Sequence, residues 1–373
     1  MQNIRDVDAS LSNSDTAKPD YVVYAADVAR AIKQLKGGKG DGDKGLFSDH
    51  FINAGDELAC HLSLLYGALL VHGFSVDDML RCTLIPIPKG KSSNITDSGN
   101  YRGIALGSIY GKVFDLILLN KFTDLLCTAE QQFGFKRKHS TTMCTMVLKE
   151  TLAYYTTDGG NAFCTLLEAT KAFDRVNYCK LFRELIKRDL PVVYIRLMVN
   201  MYTNSVTRVS WNGVFSSFFR VNNGVRQGGV ISRILFCIYT DGLLQRLIKS
   251  GVGCYIGDIF VGALAYADDI VLVAPSASAM RLMLKICEDY GREFSVIFSA
   301  SKSACSFFSK GSRCYSTLPQ FQLEDKPLTF VSEYTHLGYI ITANLSDTSD
   351  IMFRKNSFCG KVNNVLCYFS MFS

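Results

Sequence analysis

The chain has 373 residues, 48% hydrophobic and 20% charged, with a net charge of +6 from 40 basic and 34 acidic side chains. That is ordinary globular composition with length for two or three subdomains, and a basic excess compatible with a polyanionic partner without requiring one. The 13 cysteines are scattered, odd in number and never spaced Cys-x-x-Cys, which argues against a disulfide framework and a zinc knuckle and fits reduced thiols in an intracellular protein. The five histidines do not cluster. No N-terminal apolar segment suggests a signal peptide, and no apolar run reaches membrane-spanning length, so no membrane partner is expected. The sequence does not distinguish nucleus from cytoplasm.

Residues 1–20 are polar, rich in Ser, Asp and Asn, and read as a disordered tail. Val28, Ile32 and Leu35 recur at helical spacing and predict a helix from Ala25 to Leu35 that stops at Gly37-Gly38. Lys36 to Gly45 reads as a flexible basic loop. Its glycines and lysines suit a phosphate backbone, but composition alone favours a solvated linker, and the Gly-Lys-Ser/Thr ending of a P-loop is missing. Leu58 to Val71 reads as a buried helix. Thr83 to Pro88 reads as an edge strand because of its prolines. Lys89 and Lys91 follow in a polar loop reaching Asn100. Tyr101-Arg102-Gly103 leads into an apolar helix near Tyr110 to Phe122, and another helix runs from Thr141-Thr142 toward Tyr155.

Ala162 to Leu167 reads as a strand entering Glu168. Phe173, Val176, Leu181, Leu185 and Ile186 mark one side of a helix over 171–188, ending at Leu190-Pro191. Strands 206–211 and 214–221 form a hairpin turning at Asn212-Gly213. Gly224 to Gly229 is a glycine loop, and Ser232 is a cap for a helix running to Gly251. An Asp-Asp hairpin, a helix from Ser278 to Tyr290, a strand from Ser303 to Ser309 and a hairpin-like stretch from Leu328 to Thr342 complete the chain. This order predicts an α+β layer, a sheet with helices on one face.

Tyr266-Ala267-Asp268-Asp269 carries the strongest chemical signal. Two adjacent carboxylates sit between apolar, partly β-branched flanks that read as buried strands. Unpaired charges there would cost several kcal/mol unless compensated. A tight turn with a divalent cation at its tip compensates them; a solvated Asp-Asp turn also fits this motif taken alone. Adjacent strand residues point to opposite faces, which favours Asp268 as the metal ligand and Asp269 as support. Nucleotidyl transfer by two metals needs a further carboxylate from a neighbouring strand. Glu168 ends the other central strand with an acid at its tip. Its rival, Asp174, is expected on the following helix, capping or pairing with Arg175 or Lys171. Within the glycine loop Gln227 offers both a donor and an acceptor. Lys89, Arg102 and Lys302 are candidate triphosphate partners, although each alone reads as a surface charge.

These residues together resemble the reverse-transcriptase domain of LINE-type (non-LTR) retrotransposons, from about Ala25 to Tyr368. Ile85-Pro86-Ile87-Pro88-Lys89 and Asn100 to Leu106 look like the fingers motifs, and Gln132-Phe133-Gly134-Phe135 with His139 to Thr142 looks like the next block. Leu167 to Val176 resembles the first catalytic motif of the palm, Gly224 to Gly229 the nucleotide-contacting motif, and Tyr266 to Asp269 the polymerase motif. Ser301-Lys302-Ser303 resembles the lysine motif, and Tyr334 to Gly338 the primer-grip region.

The resemblance implies a right-hand polymerase architecture with an antiparallel palm sheet: fingers over 21–160, palm over 161–327, and a primer-grip hairpin with the start of an incomplete thumb over 328–373. It implies template-directed addition of deoxynucleotides to a primer 3′-OH, with an RNA template, a DNA primer, dNTPs and two Mg²⁺ ions, Mn²⁺ being the alternative. Glu168, Asp268, Asp269 and Lys302 would be catalytic, with Glu168 and Asp268 on the metals. Arg102, Ala169, Phe173, Gln227 and Gly228 would bind the nucleotide, with Phe173 excluding a ribose 2′-OH. Against an RNA-dependent RNA polymerase, which shares the palm, stands this bulky ring.

The sequence departs from the family at Glu168, where the family has Asp. The extra methylene moves the carboxylate by roughly 1 Å, and a shift of that size can cost on the order of 10²-fold in rate. Arg233 stands where the family usually has Pro, and Ser299 where Asn is common. The early end after Tyr368 and the absence of an endonuclease domain before the fingers point the same way. The expectation is a fold better preserved than its activity: an impaired polymerase or, alternatively, a catalytically dead nucleic-acid-binding remnant on the same scaffold.

Overall fold

The computed structural model describes residues 22–90, 94–157, 159–309 and 318–370. The expected tail over 1–20, and Lys91, lie outside the described residues. The chain forms two compact units, each drawn from two stretches: 22–128 with 171–240, and 129–170 with 241–370.

In the first unit the helix Ala25–Lys33 buries Val28, Ala31 and Ile32, packing on Asp56–His72 and Ile109–Lys121. The helix Asp56–His72 ends at Gly73, whose φ of 71° is the left-handed conformation that glycine adopts without strain. The Lys36–Gly45 loop is anchored, which corrects the flexible linker expected for it. Asp41 is buried, and its Oδ1 accepts the backbone N–H of Asp43, Lys44 and Gly45 at 3.1, 3.1 and 3.2 Å.

The sheet of this unit runs in the order Tyr101–Gly107, Arg81–Pro88, Val206–Trp211, Val214–Phe215. Two expectations change here. Tyr101–Gly107 is a strand, and Arg81–Pro88 is an interior strand and not an edge. The prolines are tolerated because the parallel partner covers only Arg81 to Leu84, so Pro86 and Pro88 lie where that side of the strand is open. Asn212 and Gly213 turn the hairpin with φ of 48° and 81°. The helix expected over 171–188 is a 3₁₀ turn, Phe173–Arg175, followed by Tyr178–Lys187. Asn177 sets that start by accepting the N–H of Lys180 at 3.1 Å. A helix that the sequence pattern does not predict, Val192–Thr203, follows Pro191. It is apolar on most sides, which hides the period that a one-sided helix shows.

The second unit is built on a five-stranded sheet in the order Thr329–Phe330, Ala304–Ser309, Asn161–Glu168, Asp269–Ala274, Ala263–Tyr266. All pairs are antiparallel except Thr329–Phe330 with Ala304–Ser309, which is parallel. Ala162, Cys164, Val271 and Val273 share a core with Leu148 and Leu152 of the helix Thr141–Thr157. From the opposite face Thr165 donates to Met280 Sδ of the helix Ala277–Phe294 at 3.2 Å. Helices therefore cover both faces, which corrects the expected single face. The reason is legible in Ile270 to Ala274, five buried apolar residues without alternation. Ser232 is the first residue of its helix, Ser232–Lys249, and not its cap. The C-terminal helix Thr348–Phe369 follows the hairpin Glu333–His336/Tyr339–Thr342.

Candidate active site

In the second unit the expected Asp-Asp hairpin is present. Tyr266 pairs with Asp269, so Ala267 and Asp268 form a two-residue turn. Ala267 has φ of 61°, the positive value that a type II′ turn demands at its first central residue. On the other flank Asp269 pairs with Glu168. Residues directly opposite in an antiparallel ladder share a face, so register sets the Glu168 and Asp269 carboxylates side by side. Asp268 is at the turn.

Desolvation pushes the Asp269 carboxyl up to about 6, and the negative charges of Asp268 and Glu168 add to the rise. Asp269 keeps exposed surface at the strand tip, yet enough protein surrounds its carboxyl to disfavour the charged form. Lys302 Nζ stands 3.3 Å from Glu168 Oε1. Both side chains are about half exposed, at 54% and 49%, so the pair adds little to stability. Its consequence is positional, because it draws Glu168 toward Lys302.

The Glu168 backbone is held independently of its side chain. Its N–H donates to Ser303 Oγ at 3.2 Å, and its carbonyl accepts from Ser299 N at 2.8 Å. Ala169 forms a bridge with Phe298. The Ser299–Ser303 turn thus delivers Lys302 to the acidic strand end. Ser299 and Ser303 were not singled out from sequence for this role, because serine carries no distinguishing signal.

The remaining site candidates lie in the first unit. Arg102 is exposed on its strand, opposite Ile87. Phe173 stacks on Phe236, with ring centroids 4.6 Å apart and planes 18° apart, and its carbonyl accepts from Val225 N at 2.8 Å. Gln227 offers its carbonyl to Ala105 N at 2.7 Å. Gly228 has φ of 101°, and a Cβ there would lie 3.1 Å from Ala105 O, so only glycine lets the loop run this close to the strand. Gln227 and Asp174 both line a cavity of about 220 Å³ that also involves Tyr178 and Arg226. Asp174 lies in the 3₁₀ turn and not on the following helix. Burial raises its pKa, against Lys171, Lys89 and Arg175, which lower it.

The acidic tip suits a divalent cation by its donors and its charge. The donors are hard carboxylate oxygens, which suit Mg²⁺. Burial raises the Asp269 pKa and the negative charges of Asp268 and Glu168 add to the rise, and a cation would relieve that added charge. Among the described residues no three His, Cys, Asp or Glu side chains could enclose an ion unaided. A shell completed by substrate phosphates and water is what Mg²⁺ usually takes. The tip therefore fits a shared metal site.

Residues 87–341 match the family described as reverse transcriptase (RNA-dependent DNA polymerase). That is more than half of the chain, and the chain belongs to this family. Among its relatives is the Retrovirus-related Pol polyprotein from type-1 retrotransposable element R2 of Nasonia vitripennis, 28% identical over 60% of this chain and 22% of that protein. The RNA-directed DNA polymerase from mobile element jockey of Drosophila funebris is 24% identical over 94% of this chain and 38% of that protein. The probable RNA-directed DNA polymerase from transposon X-element of Drosophila melanogaster is 24% identical over 67% and 27%. The chain thus spans well under half the length of these relatives. They place it with LINE-type reverse transcriptase domains, nucleotidyltransferases by resemblance. The family implies a polymerase fingers-and-palm fold, with which the mixed α/β architecture agrees. Among the described residues no helix is long and apolar enough to cross a membrane.

Proposed function

We propose that this domain carries the elements of an intracellular RNA-directed DNA polymerase using two divalent ions, Mg²⁺ or Mn²⁺, and that Glu168 impairs it. The observation that carries the reading is the ladder register that sets Glu168 beside Asp269, one residue from Asp268. Glu168 and Asp268 would hold the ions, and Asp269 adds a carboxylate on the Glu168 side. The chemistry divalent ions supply at such a site is a lowered pKa at the attacking hydroxyl and neutralised charge on the departing pyrophosphate. The primer 3′-OH releases its proton to solvent as its oxygen bonds to the α-phosphorus, and the bond from that phosphorus to the bridging oxygen breaks, releasing pyrophosphate. Lys302 is suited to neutralise or protonate the leaving group. Arg102, Gln227 and Gly228 are carried over as nucleotide contacts, as is Ala169, and Phe173 would exclude ribonucleotides.

Two features argue for impairment. The longer Glu168 side chain displaces its carboxylate, and Lys302 already claims one of its oxygens at 3.3 Å. The same features favour the second reading, a remnant that binds nucleic acid without extending it.

Primer extension on an RNA template with dNTPs and Mg²⁺ separates the two, comparing the chain with its Glu168→Asp variant. Extension raised on the order of 10²-fold in the variant is expected. Equal turnover in both would show that Glu168 is tolerated. Salt-dependent RNA binding with no extension by either protein would support the remnant.

A further inference from the structure

Gln132 is fully buried, and its side chain spans the Asp-Asp turn. Its Oε1 accepts the Ala267 N–H at 2.9 Å and the Gly134 N–H at 2.8 Å. Its Nε2 lies 3.5 Å from the Ala267 carbonyl. The backbone around it lies along the same hairpin. Phe133 N donates to Ala265 O at 2.7 Å, and Ala265 N donates to Gln131 O at 2.8 Å. Gln131 Nε2 reaches Phe260 O at 3.0 Å.

Ala267 is the weak point of the turn. A non-glycine residue at φ of 61° stores local strain and persists only where its surroundings over-determine it. Ala267 is also buried, so its N–H would lose water without gaining a partner if Gln132 were absent. The approach is close on the other side as well. A Cβ on Gly134 would fall 2.5 Å from Ala267 N and 2.9 Å from Gln132 Oε1. The turn geometry fixes where the next two residues, Asp268 and Asp269, present their carboxylates.

We propose that Gln132 is a positioning residue of the catalytic site: it clamps Ala267 in the left-handed conformation and so aims Asp268 and Asp269. The catalytic part rests on the polymerase reading above; the clamp itself does not. Gly134 belongs to the same device, because only a residue without a side chain lets the 131–134 segment lie against the turn.

The test uses the Glu168→Asp chain as parent, with Gln132→Met and Gly134→Ala added singly. Gln132→Glu is the conservative control, because it keeps the accepting oxygen. Two quantities are read below the melting point of every protein: hydrogen–deuterium exchange of the peptide over Tyr266–Asp269, and primer-extension kinetics. Gln132→Met is expected to speed exchange of that peptide at least about tenfold and to lower kcat at least about tenfold, with the dNTP KM within about threefold. Gln132→Glu is expected to restore protection to within about threefold of the parent. A residue that only supports folding would lower the melting temperature and leave kcat per folded molecule unchanged. If Gln132→Met fails to fold, Gly134→Ala reads the same turn from its other side. Unchanged exchange in the folded variants overturns the clamp, and faster exchange with unchanged kcat overturns its catalytic role. A parent that extends no primer refutes the polymerase reading and the catalytic role with it, while the exchange result still decides the clamp.

Discussion

Asp115, on the helix Ile109–Lys121, has an enclosed carboxyl whose Oδ2 accepts the N–H of Ile231 at 3.4 Å, just beyond the glycine loop. The surface it keeps adjoins a cavity of about 40 Å³ that also involves Arg226, Tyr202 and Ser232. Burial pushes its pKa up to about 7, although the Ile231 N–H and the charge of Arg226 pull it down. The folded state therefore binds a proton that the unfolded chain, titrating near 3.8, has already released. Stability must fall as pH rises between those values and stay low above them. Ionising such a carboxyl costs about 4 kcal/mol by pKa arithmetic, and water in the adjoining cavity would reduce that toward about 2. Asp115→Asn keeps an oxygen for Ile231 and removes the charge. It is expected to gain about 2 to 4 kcal/mol over wild type at about pH 8.5 and less than about 1 at about pH 4. Urea unfolding followed by circular dichroism at both pH values measures this. The same difference between the proteins at both pH values would refute the reasoning, because the cost would then not be one of ionisation.

His336, buried on the strand Glu333–His336, titrates with the opposite sign. Burial lowers its pKa from 6.5 to about 4, and its Nε2 has no hydrogen-bond partner among the described residues. The stability of its neutral form is complete above 6.5 and lost as pH falls toward 4, by about 3 kcal/mol; in His336→Phe, acid titration of the melting temperature should be flatter across that window. Phe173→Val removes the ring stacked on Phe236, and in the Glu168→Asp background the dNTP-to-rNTP ratio of kcat/KM should fall at least about tenfold, a loss of about 1.4 kcal/mol of discrimination; an unchanged ratio would take the sugar-excluding role away from Phe173. Gly224 has φ of 89°, and a Cβ there would lie 2.9 Å from Asp174 Cα and O. Gly224→Ala should cost about 1 to 3 kcal/mol in denaturant unfolding, and a neutral result would mean that the loop relaxes freely.

The acidic hairpin was legible because polar turn residues interrupt two apolar runs, and Glu168 because it ends the only comparable strand. Isolated patterns of this kind require no tertiary knowledge. Register does require it. Strand alternation separates Asp268 from Asp269, but the pairing that sets Asp269 opposite Glu168 is an alignment no local rule gives. The interior position of Arg81–Pro88 was hidden for a similar reason: proline marks a missing donor but not which stretch of the strand the partner covers. The anchored Lys36–Gly45 loop was hidden by composition, since glycine and lysine read as solvated while one buried carboxylate, Asp41, organises the turn. Gln132 lies in the motif Gln132-Phe133-Gly134-Phe135, whose sequence alone does not reveal its role. Its role depends on a hairpin more than a hundred residues later.

Fold and chemistry are separable at Glu168. The strand end is held through the backbone, by Ser303 Oγ and Ser299 N, and neither bond depends on side-chain length. The side chain is exposed, and its ion partner among the described residues, Lys302, is exposed too. Exchanging Glu for Asp there should shift stability by no more than about 0.5 kcal/mol, the range of surface substitutions. Rate is another matter, because a reacting carboxylate misplaced by about 1 Å can forfeit on the order of 10²-fold. Selection for a folded chain would therefore not resist this substitution, whereas selection for copying would. If Glu168→Asp instead changed the melting temperature by many degrees, the strand end would be a stability element, and fold and activity would not be separable at this position.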